Sequence, residues 1–243
     1  MSGARGTVKR LALVGTGKMG RLVAQLAREH GFEIVLRIDS ETEPAAVDLS
    51  RVDVAIDFST AAATPLWIER LAPRRIPLVV GTTGWLAELP RLTALVEQAG
   101  GALVHGANFS IGVQVFYGIV AQAARLLASE SDYDPWLYEI HHRMKKDAPS
   151  GTLRELRRVL ADGGYGGRPI DAASNRAGAI PGTHRVGFDS DADTIVLEHI
   201  ARNRAGFARG ALRAARWVQG RTGVHAFRDV WEQIARGGET PEA

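Results

Sequence analysis

Three observations predict an α/β fold, with a doubly wound parallel sheet at the amino terminus and an α+β domain at the carboxyl terminus. Short β-branched runs alternate with amphipathic stretches over the first hundred residues, a glycine-rich turn follows the first run, and the pattern changes after Asn108. The 243 residues are 45% hydrophobic and 23% charged, which is enough apolar chain for one large core or two smaller ones.

The first half of the chain contains five predicted strands joined by helices. The strands are expected at Leu11–Val14, Ile34–Ile38, Val52–Phe58, Leu78–Val80 and Ala102–His105, and the helices at Leu22–His30, Pro65–Leu71 and Leu89–Ala99. Strands that alternate with helices pair in parallel, and right-handed crossovers place the helices on both faces of the sheet. We therefore expect residues 1–110 to form one doubly wound domain.

The second half is predicted to combine longer helices with paired strands. The helices are expected at Ile111–Leu127, Ser150–Leu160 and Phe207–Val218, and the strands at Trp136–His142, Thr183–Phe188 and Asp193–Ile200. The Gly/Pro-rich stretch Gly163–Gly182 is expected to be a long loop, and such a loop is more often a lid or substrate loop than a connection without function. We expect residues 111–217 to form the α+β domain and residues 218–243 to return to the first domain.

Composition argues against several classes of protein. The chain has no cysteine, so neither disulfides nor thiolate metal sites are expected, and we predict no bound metal. Met1–Arg10 lacks the apolar segment of a secretory signal, and no apolar run approaches the roughly 18 residues that span a bilayer. The net charge is only +3, and no nucleic-acid motif accompanies basic clusters such as Arg213–Arg216. We expect a cytoplasmic protein with no membrane or nucleic-acid partner.

The glycine-rich turn is typical of dinucleotide-binding domains. It has the pattern Gly-x-Gly-x-x-Gly and comprises Gly15, Thr16, Gly17, Lys18, Met19 and Gly20. The first glycine permits the tight turn, the second lets the backbone approach a pyrophosphate, and the third allows close packing of helix on strand. The motif alone is weak, but its position between an apolar strand and a helix favours a Rossmann domain that binds NADH or NADPH.

An acidic residue closes the second predicted strand. Asp39 lies where a carboxylate would accept hydrogen bonds from the adenosine ribose, although it could simply end the strand. A carboxylate there repels the 2′-phosphate of NADPH, so we expect NADH to be used at least as well as NADPH. Arg37 shares the strand face of Asp39 and would weaken this discrimination.

Further turns follow later strands, where ligands of open parallel sheets bind. The candidate cofactor residues in them are Gly81, Thr82, Thr83, Gly106, Ala107, Asn108 and Phe109. Each turn could be an ordinary glycine-containing loop, which is the better interpretation for Gly84. Asp57–Thr60 is similarly placed, but Ser59 or Thr60 could equally cap a helix.

The densest titratable cluster lies in Glu139–Thr152, which reads Glu-Ile-His-His-Arg-Met-Lys-Lys-Asp-Ala-Pro-Ser-Gly-Thr. Histidine titrates near neutrality and suits proton transfer, while the lysines and arginine favour an anionic substrate. His141 and His142 would point to opposite faces of a strand, so we expect one of them to reach the reacting atom.

A helix is expected to begin within the same segment. Pro149 suits its first turn, and the amides of Ser150, Gly151 and Thr152 would then hold a substrate carboxylate at the positive end of the helix. The alternative is a basic strand end at which Asp147 or Ser150 merely caps the helix.

These motifs together resemble the 4-hydroxy-tetrahydrodipicolinate reductase (dihydrodipicolinate reductase) family. The resemblance spans nearly the whole chain, and the segment Glu139–Thr152 is its most specific part. The other matching segments, in the family's order, are Gly15–Gly20, Asp57–Ser59, Gly81–Thr83, Asn108–Ser110, Gly182–Val186, His199 and Phe207–Leu212. Two segments depart from the family pattern. Pro181–His184 replaces the usual Val-Gly-Glu/Asp-His, and the first turn is shorter than Gly-Ala-x-Gly-Arg-Met-Gly.

The resemblance implies a homotetramer that reduces a cyclic imine dicarboxylate with NADH or NADPH in diaminopimelate and lysine biosynthesis. It implies that His141 is the proton donor or acceptor, that Lys145 is the second catalytic group, and that His142, Gly151 and Thr152 bind substrate. It also implies that the glycine-rich turns and Asp39 lie at the cofactor. Three other interpretations remain: another amino-acid dehydrogenase, such as one acting on aspartate; a non-catalytic dinucleotide sensor; and a metal hydrolase. The seven histidines form no His-Glu-x-x-His motif, which argues against the last.

Overall fold

The structure, a computed structural model, describes residues 8–237. Expectations about the first seven and last six residues, including most of the segment examined for a secretory signal, lie outside this range. The chain divides into two compact units. One contains the described residues up to Ser110 and from Ala205 onward, and the other is Ile111–Arg204.

Ten strands and seven α-helices make up the described part of the chain. The strands are β1 (Lys9–Val14), β2 (Phe32–Ile38), β3 (Val54–Asp57), β4 (Leu78–Val80), β5 (Ala102–His105), β6 (Asp134–His141), β7 (Asp171–Arg176), β8 (Thr183–Asp189), β9 (Thr194–Ile200) and β10 (Gly223–Ala226). The helices are α1 (Lys18–Leu26), α2 (Ala63–Leu71), α3 (Leu89–Gln98), α4 (Ile111–Leu127), α5 (Gly151–Leu160), α6 (Ala205–Trp217) and α7 (Phe227–Ala235). Short 3₁₀ turns occur at Arg28–His30, Pro44–Ala46, Ala72–Arg74 and Leu86–Glu88, and a π-helical turn occurs at Ala161–Tyr165.

The first unit contains a six-stranded sheet in the order β10-β5-β4-β3-β1-β2, with every neighbouring pair parallel. Alternate residues of β1 enter two separate apolar cores. Leu11 and Leu13 pack with residues of α1, α6 and α7, whereas Ala12 and Val14 pack with residues of α2 and α3. Both faces of the sheet are therefore covered by helices, and the predicted doubly wound Rossmann fold is confirmed.

The second unit contains a four-stranded mixed sheet in the order β7-β6-β8-β9. Strand β6 pairs in parallel with β7 and antiparallel with β8, and β8 pairs antiparallel with β9. One face of the sheet packs on α4 and α5 through a third apolar core that includes Leu137, Leu153 and Val186. The predicted α+β architecture is confirmed. No helix within residues 8–237 is both long and apolar enough to cross a bilayer.

The expected domain boundary after residue 217 is wrong, because α6 belongs to the first unit. The small side chains of Ala208, Ala211 and Ala215 let this helix pack closely into the core that contains Leu11 and Leu13. The chain thus returns to the first unit at Ala205. Strand β10 then extends the parallel sheet by pairing with β5.

The loop expected at Gly163–Gly182 contains strand β7, which the sequence analysis missed. The strand sequence Asp-Ala-Ala-Ser-Asn-Arg lacks apolar alternation, and its side chains are mostly exposed. It is a strand because its backbone pairs with β6. A second correction concerns Pro149, which precedes helix α5 instead of occupying its first turn, because Ser150 is the N-cap.

Candidate functional site

The first glycine turn combines a tight bend with close packing. Gly15 has a φ of +89°, which favours glycine, and a Cβ built on Gly20 would lie 1.9 Å from the Gly15 carbonyl oxygen. Gly17 is the N-cap of α1, and a Cβ built on it would meet nothing within 4 Å. Only at Gly17, therefore, does the missing side chain leave open space at the helix N-terminus, where amide groups favour an anion.

A cavity of about 520 Å³ opens at this turn. It is lined by Gly17, Lys18, Met19, Phe58, Ser59, Thr60, Ala61, Gly81, Thr82 and Thr83. Three loops at the carboxyl ends of β1, β3 and β4 therefore meet there, as ligand sites of parallel sheets require. The open space beside Gly17 and the helix N-terminus fit the pyrophosphate of a dinucleotide.

Buried Asp57 ties two of these loops together. Its carboxylate accepts hydrogen bonds from Ser59 N at 2.7 Å, Thr64 Oγ1 at 2.6 Å and Thr82 Oγ1 at 3.1 Å. Burial raises the pKa of Asp57, and these hydrogen bonds oppose the rise. Sequence analysis noted Asp57 only as part of a loop, and the structure shows that it organises the cavity wall.

Asp39 lies at the end of β2 and is exposed. Its Oδ1 accepts hydrogen bonds from Thr42 Oγ1 at 2.8 Å and Glu41 N at 3.1 Å, and these two bonds lower its pKa. Asp39 therefore carries a negative charge and also organises its own turn. In the described part of the chain, Asp39 is not part of the cavity lining.

The turn after β5 is held mainly by packing. Phe109 is 1% exposed, and the centroid of its ring lies 4.3 Å from the ring centroid of Phe227. Gly106 packs against Phe227, and Asn108 Oδ1 accepts a hydrogen bond from Ser110 N at 2.8 Å. The turn, which also includes Ala107, does not contribute to the cavity lining formed by the described residues. The side chains of Phe109 and Asn108 therefore hold the turn in place.

In the second unit, the sheet register builds a polar cluster around Glu139. On β6, Glu139 is paired with Ser174 of β7 and His184 of β8, and His141 is paired with Arg176 of β7. Residues two apart on a strand share a face, so Glu139 and His141 point the same way. All these side chains therefore lie within reach of one carboxylate.

The carboxylate of Glu139 is fully buried and contacted on both oxygens. Oε1 accepts hydrogen bonds from Ser174 Oγ at 2.8 Å, Ser150 N at 2.9 Å and Arg176 at 3.0 Å. Oε2 lies 3.3 Å from His141 Nε2 and 3.5 Å from His184 Nε2. Burial alone would raise the pKa of Glu139, but the hydrogen bonds from the histidines and Ser150 outweigh it and hold the pKa far below its usual range.

The cluster is a self-contained hydrogen-bonded network. Three atoms that could ligate a metal, one each from Glu139, His141 and His184, lie within 4.8 Å of one another. This spacing is close enough for them to share a cation. The Arg176 guanidinium already supplies a positive charge to the same carboxylate, and it also donates to the Asp147 carbonyl. The Arg176 cation therefore already balances the charge of Glu139, and we interpret the cluster as a network of protein groups.

The loop after β6 carries the second predicted catalytic residue. Lys145 is 23% exposed, and its Nζ lies 2.6 Å from Asp147 Oδ1. Burial would raise the pKa of Asp147, but its contact with Lys145 lowers it overall. His142 follows the last residue of β6 and is half-buried. Because His142 is outside the strand, the expected alternation between the two histidines does not apply to it.

The start of α5 corrects one predicted substrate contact. Ser150 donates its backbone N–H to Glu139, and its Oγ accepts a hydrogen bond from Leu153 N at 3.1 Å. Its amide is therefore already engaged, and Ser150 serves as the N-cap. Gly151 is exposed, and a Cβ built on it would approach only Arg154, at 3.9 Å. Gly151 and Thr152 remain the candidate positions for a carboxylate.

Comparison with known proteins decides the family. The model described as "Dihydrodipicolinate reductase, N-terminus" matches residues 9–109, and the one described as "Dihydrodipicolinate reductase, C-terminus" matches residues 112–231. The chain belongs to the dihydrodipicolinate reductase family. It is an oxidoreductase, and its amino-terminal unit is the NAD(P)-binding domain of that family.

Individual relatives agree with this membership. A 4-hydroxy-tetrahydrodipicolinate reductase of Christiangramia forsetii is 33% identical over 92% of this chain and 98% of the relative. One of Methanocorpusculum labreanum is 35% identical over 88% of this chain and 95% of the relative. The dipicolinate-bound dihydrodipicolinate reductase of Paenisporosarcina sp. TG-14 shares the fold, with a TM-score of 0.74 at 20% identity over 92% of this chain and 100% of that one.

Sequence analysis did not assign roles to Glu139, Ser174, Arg176 or His184. One signal was present for Glu139, because it lies two residues before His141 on a predicted strand and so shares its face. The other three depend on strand pairing, and two of them lie in the stretch that was expected to be a loop.

Proposed function

We propose that this dihydrodipicolinate reductase family member reduces 4-hydroxy-tetrahydrodipicolinate to tetrahydrodipicolinate, with NADH or NADPH, in the diaminopimelate and lysine pathway. The observation that carries the proposal is the segment His141–Thr152. It places a histidine, a lysine and a helix N-terminus within twelve residues of a chain whose two halves both match the family.

Different residues bind the cofactor, transfer the proton and bind the substrate. The reduced nicotinamide supplies a hydride when bound, and the open turn at Gly17 with the loops at Phe58–Ala61 and Gly81–Thr83 would hold the dinucleotide. His141 supplies the matching proton, and Lys145 stabilises developing negative charge on the substrate. His142 contacts the dicarboxylate, and the amides of Gly151 and Thr152 anchor one of its carboxylates.

The reaction is tested with freshly made product of the synthase that precedes this step, by following oxidation of NADH at 340 nm. Turnover should depend on that compound, and aspartate or other amino acids supplied with NAD⁺ should form no NADH. The His141→Gln enzyme should lose roughly 10²–10⁴-fold in kcat while its NADH affinity stays unchanged. Formation of NADH from NAD⁺ with aspartate as the only substrate would show that the chain is a different dehydrogenase.

The carboxylate anchor is tested separately at Gly151. A Cβ built there would approach only the Arg154 side chain, at an ordinary contact distance of 3.9 Å, so Gly151→Val should fold normally and obstruct only a ligand at the helix N-terminus. We expect the KM for the dicarboxylate to rise at least about tenfold, with an unchanged Tm. An unchanged KM would contradict the anchoring role.

The proposal includes a homotetramer in the cytoplasm, without a nucleic-acid partner. Edge strand β9 exposes Ile195, Val196 and Ile200 by 40%, 49% and 59% of their surface, and such an apolar edge favours pairing with another chain. Light scattering at micromolar concentration should give a tetramer, and a monomer would contradict this part of the proposal.

A further inference from the structure

The Glu139 carboxylate restricts which nitrogen of each neighbouring histidine carries a proton. A carboxylate only accepts hydrogen bonds. Its Oε2 lies beside Nε2 of both His141 and His184, so both contacts are hydrogen bonds only if both Nε2 atoms are protonated. Oε1 is held by Ser150, Ser174 and Arg176, which keeps the carboxylate from rotating away.

The two imidazoles differ at their other nitrogen. Nδ1 of His184 is buried and has no hydrogen-bond partner among the described residues, and burial lowers the pKa of this ring. His184 is therefore neutral near pH 7. Nδ1 of His141 faces Gly182, where an added Cβ would lie 3.0 Å from it. Gly182 has a φ of +151°, which favours glycine, so no side chain covers Nδ1 from that position.

We propose that Glu139 is a positioning residue for the reductase reaction, holding His141 with Nε2 protonated so that Nδ1 is the atom that exchanges a proton with the substrate. This inference rests on the proposed role of His141. The imidazolium gives its Nδ1 proton to the substrate and becomes a neutral ring that still donates from Nε2 to Glu139. A proton from solvent then restores the imidazolium.

The charges around the ring make this role testable by pH. The charged and titratable groups around the cluster are the Glu139 anion on β6, neutral His184 on β8, the Arg176 cation on β7 and, in the following loop, the Lys145 cation with its Asp147 partner. Of the anions, Glu139 is the one whose carboxylate contacts the His141 ring and so favours the imidazolium. Removing the Glu139 charge should therefore shift the corresponding limb of the kcat pH profile toward lower pH.

The structural test is the tautomer of His141 in the Glu139→Gln protein, read from two-bond ¹⁵N–¹H correlations in the full-length chain without substrate. Wild type should show the Nε2–H form. The glutamine amide can donate to Nε2, so the variant should gain the Nδ1–H form. The matched control is Glu198→Gln on β9, which removes a surface carboxylate paired with Arg185 and should leave the tautomer unchanged. Wild type with Nδ1–H, or identical spectra for wild type and Glu139→Gln, would overturn the inference.

The kinetic test separates positioning from a purely structural role. Glu139→Gln should lower kcat by about 10- to 100-fold, less than loss of His141 itself, and should shift the pH limb, while Glu139→Asp recovers part of both. A lowered kcat with an unshifted limb would overturn the positioning role.

Two further results keep the inference distinguishable from the proposed function. His184→Gln retains the carboxylate, so its His141 must remain Nε2–H, and a switch there overturns the inference even if Glu139→Gln does not fold. Absence of turnover in wild type refutes the proposed function, and with it the kinetic role of Glu139, whereas the tautomer result stands by itself.

Discussion

Two glycines of the first turn should respond in opposite ways to the same added methyl group. In Gly20→Ala the new Cβ would lie 1.9 Å from the Gly15 carbonyl oxygen, which belongs to the backbone and cannot rotate away. In Gly17→Ala the Cβ meets nothing within 4 Å, and the φ of −68° and ψ of −163° suit alanine. One glycine is therefore required by packing, whereas the other leaves space for a ligand.

The magnitudes follow from these distances. Reaching even a tight 3.0 Å contact requires a shift of 3.0 − 1.9 = 1.1 Å between α1 and the turn. Overpacking of this kind costs about 1–3 kcal/mol, and the better helix propensity of alanine returns up to about 1 kcal/mol. Because the opposing atom belongs to the backbone, the cost lies near the upper end of this range, and Gly20→Ala should lose about 2 kcal/mol, at roughly 2–4 °C of Tm for each kcal/mol. Gly17→Ala should stay within about 1 kcal/mol of wild type.

Thermal unfolding and fluorescence titration with NADH measure the two effects. Gly17→Ala should keep its Tm and bind NADH at least about tenfold more weakly, because the methyl group occupies the approach to the pyrophosphate. Gly20→Ala should lose both Tm and affinity, since α1 is displaced. Gly118→Ala in α4, which also meets open space, is the control and should gain about 0.5–1 kcal/mol without changing NADH binding. Normal NADH affinity in Gly17→Ala, or a normal Tm in Gly20→Ala, would refute the reasoning.

Three other outcomes are expected. Lys145→Ala should lower kcat by roughly 10²–10⁴-fold without changing the Kd of NADH, and a near-normal kcat would remove Lys145 from the catalytic groups. Asp39→Ala should move the ratio of kcat/KM values several-fold toward NADPH, because the exposed, ionised carboxylate repels a 2′-phosphate, and an unmoved ratio would exclude Asp39 as the discriminating residue. The pKa of Glu139 is lower in the folded protein than its unfolded-state value of 4.5. The resulting contribution to the free energy of unfolding is fully present above pH 4.5 and is lost as the pH falls below that value. Urea unfolding from pH 5 to pH 3 should therefore show a shallower loss in Glu139→Gln than in wild type, and equal slopes would contradict this.

Local sequence signals were sufficient for much of the first unit. Strands β4 and β5 have the predicted bounds because short, mainly apolar runs flanked by glycine or proline are typical of buried strands. Strand β7 could not be found in this way, because its exposed polar residues are ordered only by backbone pairing with β6. Helix α6 was predicted, but its alanines do not specify which of two cores they enter.

The site divides in the same physical way. The glycine turn is readable because each glycine answers a local backbone requirement. His141 and Lys145 are noticeable because titratable residues are dense around them. The partners of Glu139 are not readable, because Ser174 and His184 reach it only across neighbouring strands, 35 and 45 residues away along the chain (174 − 139 and 184 − 139).

The apolar core determines which of these distant groups meet. Along β6, Pro135, Leu137, Glu139 and His141 are buried and the residues between them are only half-buried. Leu137 packs into the core with α4 and α5, which commits its whole face of the strand inward. A slip of one residue between β6 and β8 would turn Leu137 and Glu139 together to the opposite face. Hydrophobic packing at Leu137 therefore holds the register that places His184 opposite Glu139. The charged network around Glu139, which no local sequence pattern encodes, thus depends on an apolar residue two positions before it.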